Sequence, residues 1–363
     1  MRTKAALVGV LLTLSATATA SPYKLVTVAE GLDFPWCVAF LPDGAMLVTE
    51  LGGTMRRISP NGDVGDPIPG VPAVHRLGQG GLFDVLPHPD FAENRTVFLS
   101  YAALPAGDNT TEILRARLVD GALTDAKVIF AATPRKPTPV HYGGRMTFLP
   151  DGTLVLTTGD GFDFREAAQD LTSLMGKTVR IHIDGGVPDD NPLIDHDDAL
   201  PQIYSYGHRN PQGLALAPDG TLYLHEHGAR GGDEVNRVSP GANYGWPAVT
   251  HGIDYIGSLI SPFQEAPGMA PPLHVWTPSI APSGLAVYAG DRFPFWRGDL
   301  FVGALVDREV RRLDIEDGAI VAEEALFGEL GRRIRDVRSH DGYLYVVEDG
   351  PDARVVRVEP VEG

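Results

Sequence analysis

Short apolar runs, each entered through a tight polar turn, recur along the chain. Four share one pattern: Leu41-Pro42-Asp43-Gly44-Ala45-Met46-Leu47-Val48, Leu149-Pro150-Asp151-Gly152-Thr153-Leu154-Val155-Leu156, Ala217-Pro218-Asp219-Gly220-Thr221-Leu222-Tyr223-Leu224 and His340-Asp341-Gly342-Tyr343-Leu344-Tyr345-Val346-Val347. Asp-Gly supplies the positive-φ turn of a hairpin, and the apolar residues behind it read as a strand. Two weaker copies, Asn94-Arg95-Thr96-Val97-Phe98-Leu99-Ser100 and Arg297-Gly298-Asp299-Leu300-Phe301-Val302-Gly303, fill the gaps. Six copies near positions 43, 95, 151, 219, 298 and 341 average about 57 residues per unit. A unit of that size suits one four-stranded blade, so the pattern predicts an all-β, six-bladed β-propeller in a single domain over residues 21–363. A pair of β-sandwiches sharing such turns is the alternative. Long helical periodicity is absent, and the best candidate, Arg165–Met175, is short. Asn191–Gln202 and Thr250–Leu273 read as Pro- and Gly-rich insertions on one face, where function concentrates.

Composition agrees. Gly (42) and Pro (30) make up about a fifth of the 363 residues, as many short turns require. A formal net charge of −17 argues against nucleic acid as a partner, because phosphate binding needs a basic footprint. The lone cysteine, Cys37, excludes an internal disulfide and a cysteine-based zinc cluster. Residues 1–20 combine a basic start, a short apolar core and Ala18-Thr19-Ala20, the layout of a secretory signal peptide cleaved after Ala20. The apolar run is too short to span a bilayer, and Ser21 after the cut does not suit lipid anchoring. The expected location is periplasmic or secreted, with no membrane span.

Five polar strings could carry chemistry. Arg76-Leu77-Gly78-Gln79-Gly80-Gly81 lets a ligand approach the backbone around Gln79, or is an ordinary Gly-rich turn. Val140-His141-Tyr142-Gly143-Gly144-Arg145, followed by Gly159-Asp160-Gly161, offers His141 as a general base or as a turn cap. Tyr206-Gly207-His208-Arg209-Asn210-Pro211-Gln212-Gly213 is too dense in hydrogen-bonding groups for a purely structural turn, and places a guanidinium beside an amide. His225-Glu226-His227-Gly228-Ala229-Arg230-Gly231-Gly232-Asp233-Glu234-Val235-Asn236 carries a His-x-His pair without a third zinc ligand, and suits calcium or a solvated acidic loop. In Gly331-Arg332-Arg333-Ile334-Arg335-Asp336, strand alternation puts Arg333 and Arg335 on one side, as an anion site or as arginines paired with acids. No G-x-G-x-x-G follows a strand, which argues against a nicotinamide cofactor.

Taken in order, Gly78-Gln79-Gly80-Gly81, Gly207-His208-Arg209-Asn210-Pro211-Gln212-Gly213, Gly232-Asp233-Glu234-Val235-Asn236 and Asn243-Tyr244-Gly245-Trp246-Pro247 resemble the soluble, pyrroloquinoline quinone (PQQ)-dependent aldose sugar dehydrogenases of the glucose/sorbosone dehydrogenase family. The resemblance runs from about Gly31 to the C-terminus and implies a six-bladed propeller. It implies that His141 takes the proton of the sugar's anomeric hydroxyl while hydride passes to calcium-bound PQQ, giving a lactone. It gives Arg209 and Asn210 to the quinone oxygens, where the pair stabilises developing charge, with Arg209 counted as catalytic. Gln79, Tyr255, Ala304, Leu305, Ile334 and Asp349 resemble further cofactor positions, and Arg333 and Arg335 resemble the pair that meets the PQQ carboxylates. Carbonyls of Gly228 and Ala229 resemble Ca2+ ligands beside the cofactor. Glu234 and Tyr244 resemble a second, structural calcium site.

Three positions depart from the family pattern. Ala304-Leu305-Val306-Asp307 lacks the lysine usual after Ala-Leu, and none of the five lysines lies there. Ala229 stands where Pro is usual, and Val140 where the soluble glucose dehydrogenase subgroup has Asp. The expectation is an exported, monomeric quinoprotein that oxidises aldose sugars and passes electrons to a periplasmic acceptor. The alternatives are a carbohydrate- or protein-binding propeller that has lost PQQ, and a calcium-dependent lactonase.

Overall fold

A computed structural model describes residues 23–104 and 107–361. The signal-peptide reading of residues 1–20 lies outside them. Among the described residues, twenty-four strands form six four-stranded antiparallel sheets. Strand β1 (Tyr23–Leu32) precedes the first blade, which is β2 (Pro35–Phe40), β3 (Met46–Glu50), β4 (Thr54–Ile58) and β5 (Val64–Pro67). The second blade is β6 (Leu82–Pro87), β7 (Thr96–Ala103), β8 (Thr110–Val119) and β9 (Ala122–Ala131). The third is β10 (Met146–Phe148), β11 (Leu154–Thr157), β12 (Lys177–Ile181) and β13 (Ile203–Tyr206). The fourth is β14 (Pro211–Leu216), β15 (Leu222–Glu226), β16 (Asp233–Val238) and β17 (His274–Trp276). The fifth is β18 (Pro282–Val287), β19 (Leu300–Ala304), β20 (Val310–Glu316) and β21 (Ala319–Leu326). The sixth combines β22 (Ile334–His340), β23 (Tyr343–Glu348) and β24 (Ala353–Pro360) with β1 as its outermost strand.

The expected six-bladed propeller is therefore what the chain forms. Each of the six repeated turns joins the innermost strand of a blade to its second strand. The Arg165–Met175 candidate is one 3-10 turn, Arg165–Ala168, and the insertions 191–202 and 250–273 carry no strand or α-helix. Second strands such as β3, β11, β19 and β23 are buried on both faces, because they lie between the sheets of neighbouring blades. Six apolar clusters result, one per blade interface: Leu47 with Leu82 and Leu99, Phe98 with Leu154, Val155 with Leu224, Val235 with Leu300, Phe301 with Val346, and Val347 with Val48. The last closes the ring, with β1 pairing antiparallel to β24 from Tyr23↔Pro360 to Leu32↔Ala353.

A buried ionic cluster joins the innermost strands of several blades. Arg145 is 2% exposed and lies over the Trp36 ring at 4.0 Å. Its Nη2 is 3.0 Å from Asp336 Oδ1, and its Nε donates to the Gln212 carbonyl at 2.8 Å. Asp84 accepts from the Met146 amide and from Arg338, and Asp336 accepts from the Val38 amide and from Arg338. Strands of blades one, two, three and six are thereby tied across the axis. Cys37 belongs to this cluster. Burial pushes its thiol well above the ordinary range, so it is a packing residue, not a nucleophile.

Candidate functional site

All six innermost strands run in the same direction, so their N-terminal ends and the C-terminal ends of the second strands meet on one face. The Asp-Gly turns lie on the other. Gln79, His141 and Arg209–Asn210 precede β6, β10 and β14, Arg333 precedes β22, and Gly228, Leu305 and Asp349 follow β15, β19 and β23. A cavity of about 210 Å³ opens there, lined by Trp36, Gln79, Asn210, Gln212, Arg333 and Arg335 among others. Arg145 backs its wall, donating to the carbonyls of Gln212 and Arg335.

His141 is buried in a left-handed conformation (φ +53°), unusual for a residue with a side chain. Its backbone N–H donates to Gln79 Oε1 at 2.8 Å, and its Nδ1 lies 2.6 Å from Asp160 Oδ1. Asp160 also accepts from the Phe162 amide and from Trp246 Nε1, each at 2.8 Å. Burial opposes ionisation of Asp160, but His141, Arg209 and the Phe162 amide outweigh it and hold the carboxyl below its ordinary value. An ionised Asp160 assigns the proton to His141 Nδ1, leaving on Nε2 a lone pair that meets no hydrogen-bond partner among the described residues. Burial pushes the imidazole below its ordinary value despite Asp160, so it is neutral at pH 7. The neighbouring chain passes close behind. A Cβ on Gly159 would lie 2.4 Å from the His141 carbonyl, so only glycine fits.

Arg209 is anchored by its amide on Glu226, which also accepts from His208 Nδ1 at 2.8 Å. Its guanidinium donates to the carbonyls of His227 and Gly228 and lies 3.2 Å from the Tyr255 hydroxyl. Asn210 Oδ1 receives the Gly143 amide at 3.3 Å, joining blade four to the His141 loop. Arg333 and Arg335 lie on one side of their strand and clasp Asp349 at 2.8 and 3.0 Å. Burial pushes Arg335 below its ordinary value, although Asp349 opposes this. Burial opposes ionisation of Asp349, but Arg335 and Arg333 hold it below the ordinary carboxylate range.

Gln79, Asn210, Leu305, Arg333 and Arg335 line this cavity, and Asp349 pairs with its two arginines, whereas Arg209 and Tyr255 line a second hollow with Phe162 and Trp246; His141 touches both groups, through Gln79 and through the Phe162 ring. Ala304 and Ile334 are fully buried in the cores beside blade five, and their side chains do not line the cavity. Gly228 and Ala229 border the site, but the Gly228 carbonyl already accepts from Arg209. Glu234 and Tyr244 line a hollow with residues 264–272, and a smaller space that they share with Arg209, Glu226 and Gly228. Glu234 sits opposite Glu226 across the β15–β16 ladder, and burial together with Glu226 pushes it up to about 8. The His-x-His pair holds no metal arrangement. His225 is buried in the channel wall and pushed by burial down to about 3, and among the described residues no three His, Cys, Asp or Glu side chains converge on one point.

Two residues gain roles that their motifs alone did not assign. Asp160 was visible in Gly159-Asp160-Gly161, but its pairing across 19 residues with His141 was not. Lys136 lies in Thr133-Pro134-Arg135-Lys136-Pro137-Thr138-Pro139, a stretch with no motif signal.

An imidazole kept neutral and oriented by a buried carboxylate, beside convergent guanidinium groups, is equipped to take a proton from a hydroxyl next to an anion. That places the molecule among propeller enzymes. Comparison with known proteins narrows the class: residues 32–357 match the Glucose / Sorbosone dehydrogenase family, and the chain belongs to it. The aldose sugar dehydrogenase YliI of Escherichia coli K12 is 41% identical over 360 residues, covering 96% of this chain and 97% of that protein. A glucose dehydrogenase crystal structure is 44% identical with a TM-score of 0.90, covering 92% of this chain and 99% of that one. The PQQ-bound aldose sugar dehydrogenase of Streptomyces coelicolor is 30% identical with a TM-score of 0.78, covering 94% and 99%. Among the described residues no helix is long and apolar enough to cross a membrane.

Proposed function

We propose that the protein is an exported, PQQ-dependent dehydrogenase that oxidises aldose sugars at C1 to lactones. The observation that carries this reading is the Asp160–His141 pair, held by Gln79 directly behind a cavity that Gln79, Tyr142 and Gly143 line together with Arg333 and Arg335. The donor set fits the cofactor: two guanidinium groups for carboxylates, and Arg209 with Asn210 for quinone oxygens. When bound, PQQ supplies the acceptor for the two electrons that leave C1. His141 Nε2 takes the C1 hydroxyl proton, and the Asp160 carboxylate stabilises the imidazolium that results. Gln79 holds the His141 backbone in place through its side-chain oxygen. The exposed rings of Phe162 and Tyr255, with centroids 6.0 Å apart, offer an apolar wall to a sugar's C–H face.

Calcium fits unequally. A divalent cation beside Glu234 would favour its ionised form, and the oxygen-only donors of the opposed Glu226 and Glu234 suit Ca2+. The Gly228 carbonyl does not fit while the Arg209 guanidinium donates to it.

The test is titration of purified protein with PQQ, with and without Ca2+, followed by dye reduction with several aldoses. Tight PQQ binding with sugar-dependent reduction supports the reading. A His141→Ala variant is expected to bind PQQ yet lose turnover by ~10²–10⁴-fold. Absence of PQQ binding at micromolar concentration overturns the reading and favours a propeller that only binds ligands.

A further inference from the structure

The segment that delivers His141 cannot join a strand ladder in the ordinary way. Pro134, Pro137 and Pro139 lack backbone donors. The carbonyls of residues 138–140 nevertheless point at protein groups and must be satisfied. Pro139 O accepts from the Gln79 amide at 2.9 Å. The carbonyls on either side, Thr138 O and Val140 O, both accept from Lys136 Nζ, at 2.5 and 2.8 Å. The third ammonium proton goes to Asn109 Oδ1 at 3.0 Å. The same ammonium lies 3.7 Å from the centre of the Tyr142 ring. Lys136 itself is fixed, because its backbone N–H and C=O both pair with Asn109 at 2.9 Å. Its stem packs against Gly161, next in sequence to Asp160: a Cβ on Gly161 would lie 2.7 Å from Lys136 Cδ. Residues 140 and 142, immediately flanking the base, are therefore held by one buried cation.

We propose that Lys136 is a positioning residue for the base: its ammonium locks the loop in the conformation His141 requires, and its charge disfavours a second cation on the imidazole. This rests on the reading of His141 as the base. The charged groups facing His141 are Asp160, Arg209, Lys136 and His227, and Asp160 faces Lys136. Only Asp160 favours imidazolium, and the three cationic or potentially cationic groups oppose it. Burial pushes Lys136 down to about 7, so it is charged in the range where His141 titrates. Its effect on His141 is thus present below that pH and fades above it.

The test uses the full-length protein in Lys136→Met, which keeps the stem and removes the charge, and in Asn109→Asp, which keeps the lysine and places a carboxylate against it. The His141 Hε1 resonance is titrated by NMR without cofactor or sugar, so this readout stands even if sugar oxidation fails. Both variants are expected to raise the His141 titration midpoint, and to move the acid limb of turnover to higher pH by the same amount. In Lys136→Met, kcat is expected to fall about tenfold with KM little changed. In the wild type, the Lys136 ammonium protons are expected to exchange slowly enough to observe. An unshifted His141 titration in the folded variants, or rapid exchange of those protons in the wild type, overturns the proposal.

Discussion

Replacing Asp160 with asparagine isolates what the carboxylate does for the base. The side chain keeps its shape but has one acceptor oxygen where aspartate has two. In the wild type Oδ1 serves His141 Nδ1 and the Phe162 amide, while Oδ2 serves Trp246 Nε1. In either orientation of the substituted amide, an NH₂ group faces a buried donor. With the NH₂ toward His141, the imidazole must carry its proton on Nε2 and cannot act as a base. With the NH₂ toward Trp246, the base keeps its tautomer but the imidazolium loses a neighbouring negative charge. A hydrogen bond to a charged group contributes ~1.5–3 kcal/mol. At ~1.4 kcal/mol per tenfold, that is a fall of about 10- to 150-fold in kcat. Loss of the whole base sets the upper bound, ~10²–10⁴-fold. The assay is dye reduction at saturating PQQ and sugar from pH 5 to 9. The wild type loses activity as the pH falls through the lowered His141 pKa. Removing Asp160, which favours the protonated ring, moves that limb to still lower pH while the plateau drops. A variant within twofold of wild-type kcat across the range would falsify the role given to Asp160.

Arg335→Ala removes the more buried of the two arginines on Asp349 and is expected to weaken PQQ binding by about 10- to 150-fold, on the same charge-assisted scale. Fluorescence titration checks this, and an unchanged Kd removes Arg335 from the anion site. Stability is expected to fall as the pH drops from about 6.5 toward 4. His225 and His227 are pushed by burial down to about 3 and about 4, and His141 is also lowered. The unfolded chain therefore binds protons that the folded one refuses in that window, at a cost of ~1.4 kcal/mol per pH unit for each histidine. Urea unfolding at pH 7, 6 and 5 measures the slope, and a flat profile contradicts burial of neutral histidines.

Much of the fold was legible because propeller turns are local. Asp43-Gly44 and its five counterparts mark the first hairpin of every blade through residues adjacent in sequence. The outer strands carry less signal: β21 reads Ala-Ile-Val-Ala-Glu-Glu-Ala-Leu and is mostly exposed. Arg333 and Arg335 were legible for the same local reason, since period-two alternation puts them on one side and Ile334 in the core. Asp160 was not assigned, because its pairing depends on how β11 returns beside the His141 loop. Lys136 gave no motif because its function is to replace missing backbone donors, and prolines signal that need without naming the residue that meets it. The Gly228 carbonyl illustrates the converse. Its availability depends on where the Arg209 guanidinium comes to rest, 19 residues away.

The pairing of β1 with β24 makes the first described strand the last to find its place. Its partner lies more than 300 residues downstream. The chain-entropy cost of such a closure grows only with the logarithm of the span, to ~5 kcal/mol plus a constant, so the obstacle is one of timing more than of energy. Until residues 353–360 exist, β1 has no partner strand in the sixth blade, and β24 in turn offers a bare edge until β1 arrives. A chain made from its N-terminus thus carries a free strand throughout synthesis.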